Sequence, residues 1–226
     1  MTTESPKAVI WDMDGVIADT TPYHEEAWRE IFQKRGVEFT GEDFRRSFGQ
    51  RNDTIIRRVL GNTTPQKVID AIADEKEVSF RRKISRHIQP LPGVIQLLST
   101  LAAAGFRQAL ASSAPMQNVH QIMEDLGIER YFESIVTEKD VTEGKPSPQG
   151  FLLAARRLGV KPEDCAVIED AVAGVAAAKR AGMGCVAVTN THPRSRLREA
   201  DLIVDSLKEV TVVDLEKLLG RLRLGS

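Results

Sequence analysis

Short apolar runs alternate with helical segments from residue 91 onward, and this alternation restricts the possible folds more than any other feature of the sequence. Parallel strands need crossover connections long enough to hold a helix, so the alternation predicts parallel pairing. The expected fold is an α/β doubly wound parallel sheet. Its predicted strands are residues 8–11, 108–111, 134–136, 165–168, 185–188 and 202–204, separated after residue 90 by predicted helices at 93–104, 117–126, 148–158 and 172–181, with a last helix at 212–223.

Residues 19–90 follow a different pattern, because helical segments succeed one another there without a convincing strand. We therefore predict a core of residues 1–18 and 91–226, with an all-helical domain of residues 19–90 inserted after the first strand. An insertion so close to the end of that strand is expected to lie over it as a lid. The alternative is a second domain that only adds stability. Gly, Pro or Asn-Thr-Thr signals separate the predicted helices, which cover residues 22–35, 41–48, 53–60 and 65–86.

The charge of the chain is balanced, with a formal net charge of −1 over 226 residues. Because there is no basic excess that would suit nucleic acid, any positive patch for a charged ligand has to be local. No apolar run approaches the length of a membrane span, and residues 1–6 lack the basic-then-apolar pattern of a secretory signal. Cys165 and Cys185 have no metal-ligand spacing and are expected to be buried thiols in a reducing compartment. These features predict a cytoplasmic protein that binds neither nucleic acid nor membranes.

Two carboxylates, Asp12 and Asp14, follow the first predicted strand directly. Open α/β sheets bind ligands at the carboxyl ends of their strands, and residues two apart on an extended segment point the same way. Both side chains are therefore expected to face one pocket, where one is placed to attack and the other to move a proton. A solvated turn whose acids cap the next segment is the alternative.

Hydroxyl and ammonium groups follow later strands. Ser112 and Ser113 end the predicted strand 108–111, where a hydroxyl can donate to a phosphate oxygen, although helix capping is the alternative. Lys145 lies between Gly144 and Pro146 just before a helix, so its charge is held in a stiff loop where it suits an anion. Most isolated lysines are simply solvated, and that alternative stays open.

Adjacent acids, Glu169 and Asp170, come after the predicted strand 165–168. Carboxylate oxygens at a strand end suit a hard cation such as Mg2+, which also keeps waters and phosphate oxygens as ligands. Taken together, the clusters place acids that would repel one another beside a site for a divalent ion, which would neutralise their charges. The hydroxyl and the lysine are then expected to bind a phosphate dianion. Hydrolysis of phosphate esters is slow without such stabilisation of developing charge.

In four stretches the chain resembles the haloacid dehalogenase-like superfamily. These stretches are Asp12-Met13-Asp14-Gly15-Val16-Ile17-Ala18-Asp19-Thr20, Ser112, Gly144-Lys145-Pro146-Ser147-Pro148, and the segment from Ile168 to Met183 that begins Ile-Glu-Asp-Ala. They match the four family motifs in order and span nearly the whole chain. The resemblance implies a Rossmann-like core with a helical cap inserted after the first strand, in agreement with the pattern of elements.

The resemblance also implies roles. Asp12 is expected to attack phosphorus and become an aspartyl phosphate, while Asp14 is the general acid and then the general base. At the first step Asp12 has to be ionised and Asp14 protonated. Mg2+ is expected to bind a carboxylate oxygen of Asp12, the backbone carbonyl of Asp14 and the side chain of Asp170, with Glu169 as a ligand through water or an orienting neighbour. Ser112 and Lys145 would hold the transferring phosphoryl oxygens.

Three cap residues bear on the substrate. His24 and Trp28 are four residues apart in the first cap helix and share a face, and Arg51 lies in the second half of the cap. Similar residues occur in the β-phosphoglucomutases, a branch of the superfamily whose cap Arg grips a second phosphate. A solvated helix-face His and a surface Arg are the alternatives. No further cap lysine is clearly placed for a Schiff base, which disfavours phosphonate cleavage.

The segment Ala114-Pro115-Met116 argues against a mutase, because those side chains offer almost nothing to a distal phosphate. We therefore predict a phosphatase that acts on a small phosphorylated metabolite, a sugar phosphate above all. A phosphomutase is the alternative, and a catalytically silent relative that only binds a phosphorylated ligand is a remote one. The expected oligomeric state is a monomer or a weak homodimer.

Overall fold

The computed structural model describes residues 5–85 and 87–224. Most of residues 1–6, on which the prediction of no signal peptide rests, therefore lies outside the described residues. The described chain contains one sheet of six strands. Their bounds are β1 Ala8–Trp11, β2 Arg107–Ala111, β3 Ser134–Val136, β4 Cys165–Glu169, β5 Gly184–Val188 and β6 Leu202–Val204.

All five strand pairings are parallel, and the strand order is β3-β2-β1-β4-β5-β6. The first strand lies at the centre, where Trp11 pairs with Leu110 on one side and with Ile168 on the other. The order of strands reverses between β1 and β4, and ligands bind open α/β sheets at such a switch point. The predicted doubly wound, Rossmann-like sheet is confirmed.

Helices cover both faces of the sheet. On β1, Val9 and Trp11 belong to one apolar cluster, whereas Ala8 and Ile10 belong to the other, as the alternation of a strand requires. The first cluster contains helices α5 Val94–Ala103, α6 Met116–Leu126 and α9 Val212–Leu224, and the second contains α7 Gln149–Leu158 and α8 Val172–Arg180. Both faces of the central strand are therefore dry, which explains its continuous apolar sequence.

Four helices lie between β1 and α5 and form the cap. They are α1 Thr21–Gln33, α2 Gly41–Ser47, α3 Asn52–Leu60 and α4 Gln66–Ile84. The cap has an apolar cluster of its own, in which Trp28 and Phe32 stack with ring centroids 5.3 Å apart. Its two connections to the core meet, because the N–H of Leu91 donates to the carbonyl of Ile17 at 2.8 Å. The helical cap is confirmed, whereas its boundaries at residues 19 and 90 stay a prediction.

The predicted element ends differ from the structure by at most two residues. One difference concerns the site, because β4 extends to Glu169 and thereby holds this carboxylate on the sheet itself. In the described part of the chain, none of the helices combines the length and the apolar character needed to cross a bilayer.

Candidate active site

The polar clusters meet at one edge of the sheet because they follow neighbouring parallel strands. Asp12 follows β1, Ser112 follows β2, and Glu169 ends β4. Each of these three residues is buried. The N–H of Asp12 donates to the carbonyl of Ile168 at 3.0 Å, so the ladder of the sheet continues up to the first acid and fixes its backbone.

The turn after β1 brings its backbone against the acid that follows β4. Gly15 has a φ of 81°, a conformation that residues with a Cβ rarely adopt. A Cβ at this position would overlap Asp170 Oδ2 and would lie 2.8 Å from Thr191 Oγ1. Only glycine therefore lets the Asp14-Gly15 segment lie directly beside the carboxylate of Asp170.

Asp12, Glu169 and Asp170 each offer one carboxylate oxygen, and these atoms lie within 4.8 Å of one another. Asp170 Oδ2 accepts from the Thr191 hydroxyl, whereas the buried Oδ1 has no hydrogen-bond partner in the described chain. A buried acceptor left without a donor is costly, and a cation would satisfy it. Burial, together with Glu169 and Asp12, raises the pKa of Asp170 well above its ordinary range. The residues present therefore fit a divalent cation.

Glu169 has both oxygens engaged by the protein. Its Oε2 accepts the backbone N–H groups of Asp170 and Ala171, each at 2.8 Å, and its Oε1 accepts from Lys145. A carboxylate held in this way is better placed to orient its neighbours than to ligate a cation directly. The arrangement favours the expectation that Glu169 acts through water or as an orienting neighbour.

Lys145 bridges the two acids. Its Nζ donates to Asp12 Oδ1 at 2.5 Å and also to Glu169 Oε1, and only 9% of its side chain is exposed. Burial alone would lower the pKa of Lys145, but the carboxylates of Asp12 and Glu169 outweigh burial and raise it above its ordinary value. The ammonium is therefore permanently charged beside Asp12, where an anion would bind.

The protein groups alone do not supply the protonation states of Asp12 and Asp14 that the first step needs. Burial raises the pKa of Asp12 to about 7, although Lys145 opposes this effect. Burial would also raise the pKa of Asp14, but His24 and Thr20 outweigh it, and the net effect is a lowering. An ionised Asp12 with a protonated Asp14 therefore requires more than these side chains supply, and a cation beside Asp12 would act in that direction.

Asp14 contacts the cap. Its Oδ1 accepts from the hydroxyl of Thr20 at 2.6 Å and lies 3.2 Å from His24 Nε2. The other ring nitrogen of His24 lies 2.8 Å from Lys76 Nζ, and Lys76 donates in turn to Glu77 Oε1 at 2.7 Å. The sequence showed no cap lysine clearly placed for a Schiff base, yet Lys76 is only 2% exposed and reaches the residue that contacts Asp14.

Sequence reasoning missed Thr20, Lys76, Glu77 and Thr191. Lys76 and Glu77 are adjacent charged residues in a long cap helix, a pattern that normally belongs to a solvated face. Two features of the sequence could have indicated Thr20 and Lys76 as site residues. Thr20 follows the acidic motif closely, and Phe80 lies four residues after Lys76, on the same face of a helix. In the structure the Phe80 ring stacks on His24, with centroids 3.8 Å apart.

Two pockets lie at this edge of the sheet, and one of them is lined by the acidic pair. The larger, of about 490 Å³, contains Asp12 and Asp14 together with His24, Trp28 and Glu77. The smaller, of about 360 Å³, contains Ser112, Lys145 and Arg51, and Ser113 borders both pockets. His24, Trp28 and Ser113 therefore lie with the acidic pair, whereas Arg51 lies with the hydroxyl and the lysine.

Arg51 connects the cap to the core. Its guanidinium donates to the carbonyls of Val141 and Thr142 at 3.2 and 3.4 Å.

Ser112 does not cap a helix, because its Oγ accepts the N–H of Ala114 at 3.0 Å while α6 begins only at Met116. The hydroxyl proton of Ser112 is consequently available to a ligand oxygen.

Comparison with known proteins gives consistent results. A family model described as a hydrolase, haloacid dehalogenase-like hydrolase, matches residues 6–182. A β-phosphoglucomutase of Bacillus subtilis is 36% identical over 214 residues, which are 91% of this chain and 92% of that protein. A fructose-1-phosphate phosphatase of Escherichia coli is 32% identical over 182 residues, 80% of this chain and 95% of that one. The crystal structure of a β-phosphoglucomutase from Clostridium difficile superimposes with a TM-score of 0.88 at 28% identity, covering 97% of this chain and 99% of the other.

Proposed function

Because the chain belongs to the haloacid dehalogenase-like hydrolases, we propose that it is a Mg2+-dependent phosphohydrolase that cleaves a small phosphomonoester through a phosphorylated Asp12. One observation carries the proposal: Lys145 bridges Asp12 and Glu169 at the edge of the sheet where an oxygen of Asp170 has no partner among the described residues. The site thus combines a nucleophile, a fixed cation for the phosphoryl oxygens and ligands for a divalent ion.

Asp12 attacks phosphorus through a carboxylate oxygen while the bond from phosphorus to the leaving oxygen breaks. Covalent capture divides one difficult step into two easier ones. Lys145 and the free hydroxyl proton of Ser112 stabilise the charge on the transferring oxygens. A water then attacks phosphorus, the Asp12–phosphorus linkage breaks, and inorganic phosphate leaves.

Asp14 moves the proton in both steps. It donates a proton to the leaving oxygen in the first step and accepts one from the attacking water in the second. Thr20 and His24 hold its carboxyl group from the cap side and favour its ionised form, which is the form needed for the second step. A phosphate dianion beside Asp12 adds negative charge near Asp14 and therefore favours the protonated form that the first step needs.

A bound Mg2+ would be held by Asp12, the backbone carbonyl of Asp14 and Asp170, with Glu169 acting through water. When bound, the ion lowers the pKa of Asp12 and neutralises charge on the phosphoryl group.

We also propose that the helical insertion, residues 19–90, acts as the lid of the site. It contributes His24 and Trp28 to the pocket of the acidic pair.

The pocket beside the acidic pair supports a phosphatase acting on a sugar phosphate. Trp28 and Phe48 give it an apolar side, whereas Gln50 and Asn52 give it hydrogen-bonding groups, a combination that suits a hydroxylated ring. Arg51 is engaged by core carbonyls, and residues 114–116 offer no cation to a second phosphate. A phosphomutase is the second candidate, and the 36% identity to a β-phosphoglucomutase favours it.

Product analysis separates the two enzymes. With β-glucose 1-phosphate and catalytic glucose 1,6-bisphosphate, a phosphatase releases inorganic phosphate, whereas a mutase gives glucose 6-phosphate without phosphate release. Hydrolysis of p-nitrophenyl phosphate with Mg2+, and its loss with a chelator, tests for a catalytically silent relative. A screen of phosphorylated metabolites would identify the substrate. Activity that survives chelation would overturn the proposed role of the cation.

A further inference from the structure

A continuous series of hydrogen bonds runs from the core into the cap and back into the core. It begins at Asp14, passes through His24 to Lys76 and Glu77, and ends at Asn118 on helix α6. The last contact joins Asn118 Nδ2 to Glu77 Oε2 at 2.5 Å. Lys76, Glu77 and Asn118 are all buried, at most 5% exposed, so water does not compete for these bonds. The series exists only when the cap is seated on the core.

The chemistry of the donors fixes the proton on His24. A lysine ammonium has only donors, so His24 Nδ1, 2.8 Å from Lys76 Nζ, has to be an acceptor without a proton. The proton of the neutral imidazole is then on Nε2, which faces Asp14 Oδ1. Phe80 stacks on the ring at an interplanar angle of 7° and holds the plane of the imidazole. His24 is therefore locked as a donor to Asp14.

The orientation of the Asn118 amide, at the far end of the series, is determined in the same way. Arg81 donates to Asn118 Oδ1 at 2.8 Å, and a guanidinium cannot accept. The amide of Asn118 consequently has one orientation, in which its N–H2 group donates to Glu77. Asn52 donates to the other oxygen of Glu77 at 2.7 Å. Two amides thus hold the Glu77 carboxylate, and that carboxylate holds the Lys76 ammonium against His24.

We propose that Glu77 and Asn118 are positioning residues for Asp14, which act by holding Lys76 so that His24 keeps its proton on Nε2. Asn118 follows the Ser112-Ser113 segment on the core, so the series couples the phosphate-binding edge to Asp14 through the seated cap. The role of Asp14 rests on the proposed function, whereas the tautomer of His24 does not.

Exchanging the carboxylate of Glu77 and the amide of Asn118 tests the inference. In Glu77→Gln, the new N–H2 group has to face either Lys76 and Asn52 or Asn118, so at least one donor–donor conflict arises in every orientation. In Glu77→Gln with Asn118→Asp, the glutamine N–H2 group meets a carboxylate while its carbonyl accepts from Lys76, and the conflict disappears. Glu75→Gln is the matched control, because Glu75 lies on the same helix with 39% of its side chain exposed and, among the described residues, pairs with Lys34 and Arg35 at the surface.

The first readout is the imidazole nitrogen spectrum of His24, which requires no turnover. Wild type should show a single neutral tautomer with the proton on Nε2, Glu77→Gln a mixture, and the double variant a return toward the single form. An unchanged spectrum in Glu77→Gln, or a double variant no closer to wild type, overturns the inference. This readout decides the matter even if the protein hydrolyses no phosphomonoester.

The second readout compares two leaving groups through kcat/KM. An alkyl phosphate needs a proton from Asp14, whereas the weakly basic p-nitrophenolate leaves without one. The lost donor would favour the protonated form of Asp14, but it also leaves the carboxyl group without the contact that orients it. Because misorientation outweighs the pKa change, Glu77→Gln should lose roughly 10- to 100-fold on the alkyl phosphate and little on p-nitrophenyl phosphate. A purely structural role would reduce both equally, and that result overturns the inference. The double variant should recover most of the loss, and Glu75→Gln should match wild type.

Discussion

Replacing Gly174 by alanine should displace Glu169 and destabilise the protein. Gly174 lies in the first turn of α8, where a Cβ would overlap Oε1 and Cδ of Glu169 and would lie 2.6 Å from Oε2. Carbon and oxygen atoms in contact need more than 3 Å, so the carboxylate has to move. Glu169 is fully buried, and its two oxygens hold the N–H groups of Asp170 and Ala171 and the ammonium of Lys145.

The magnitude follows from these contacts. Breaking a buried ion pair by removing one partner costs about 3–5 kcal/mol, and Lys145 keeps its second partner, Asp12, which reduces the loss. Alanine stabilises a helix by up to about 1 kcal/mol relative to glycine, which offsets part of this loss. We therefore expect the free energy of unfolding to fall by about 2–4 kcal/mol, which lowers Tm by roughly 5–15 °C for a chain of this size. Activity should fall as well, because Lys145 and Asp170 both depend on the position of Glu169.

Urea and thermal unfolding measure the effect, with Gly150→Ala as the matched control. Gly150 lies near the start of α7 and borders the smaller pocket, but the nearest atom to an added Cβ is Val136 Cγ1 at 4.0 Å. That variant should be neutral or more stable by up to about 1 kcal/mol. The reasoning is refuted if Gly174→Ala unfolds like Gly150→Ala, or if its crystal structure shows Glu169 unmoved.

Three further predictions concern the acids. Asp12→Asn should reduce phosphate release to background, and any turnover above background would remove Asp12 as the nucleophile. The folded-state pKa of Asp12, about 7, exceeds its ordinary value of 3.8, so the folded state binds more protons between these values and stability falls as pH rises through that window. Without divalent cations Asp12→Asn should therefore be more stable than wild type above pH 7, by up to about 4 kcal/mol, and equal stability in unfolding experiments would contradict the assignment. Thr191→Val removes the hydroxyl that holds Asp170 and should weaken Mg2+ binding in calorimetry by about 10-fold, whereas Thr191→Ser should bind like wild type; equal affinities would show that the hydroxyl is irrelevant.

Local signals were sufficient to predict the elements of this fold. The strand at residues 134–136 and the first strand at residues 8–11 are found as predicted, and the helices end close to the expected positions. Strand runs and their stop signals depend on neighbouring residues, so they can be recognised without the rest of the chain. The meeting of Asp12, Ser112 and Glu169 was also predictable, since parallel strands present their carboxyl ends at one edge of the sheet.

The contacts of the cap could not be predicted in the same way. Lys76 and Glu77 have the sequence of a solvated pair, yet they are buried, because helix α4 packs against α1 and α6. Asn118 meets Glu77 across 41 positions of sequence, and Thr191 meets Asp170 across 21. Which side chains meet at such separations depends on how whole helices dock, and periodicity carries no information about that.

The sequence by itself therefore determined the architecture and the acids, hydroxyl and lysine at the strand ends, because these follow from short-range pattern and from the geometry of parallel sheets. Only the tertiary structure decided which neighbours shift the pKa of Asp12 and Asp14, and which groups contact His24. A pKa depends on burial and on the charges that surround a group in space. Asp12 is surrounded by Lys145 and Glu169, which meet it when the core folds, whereas His24 reaches Asp14 only when the cap and the core are folded against each other.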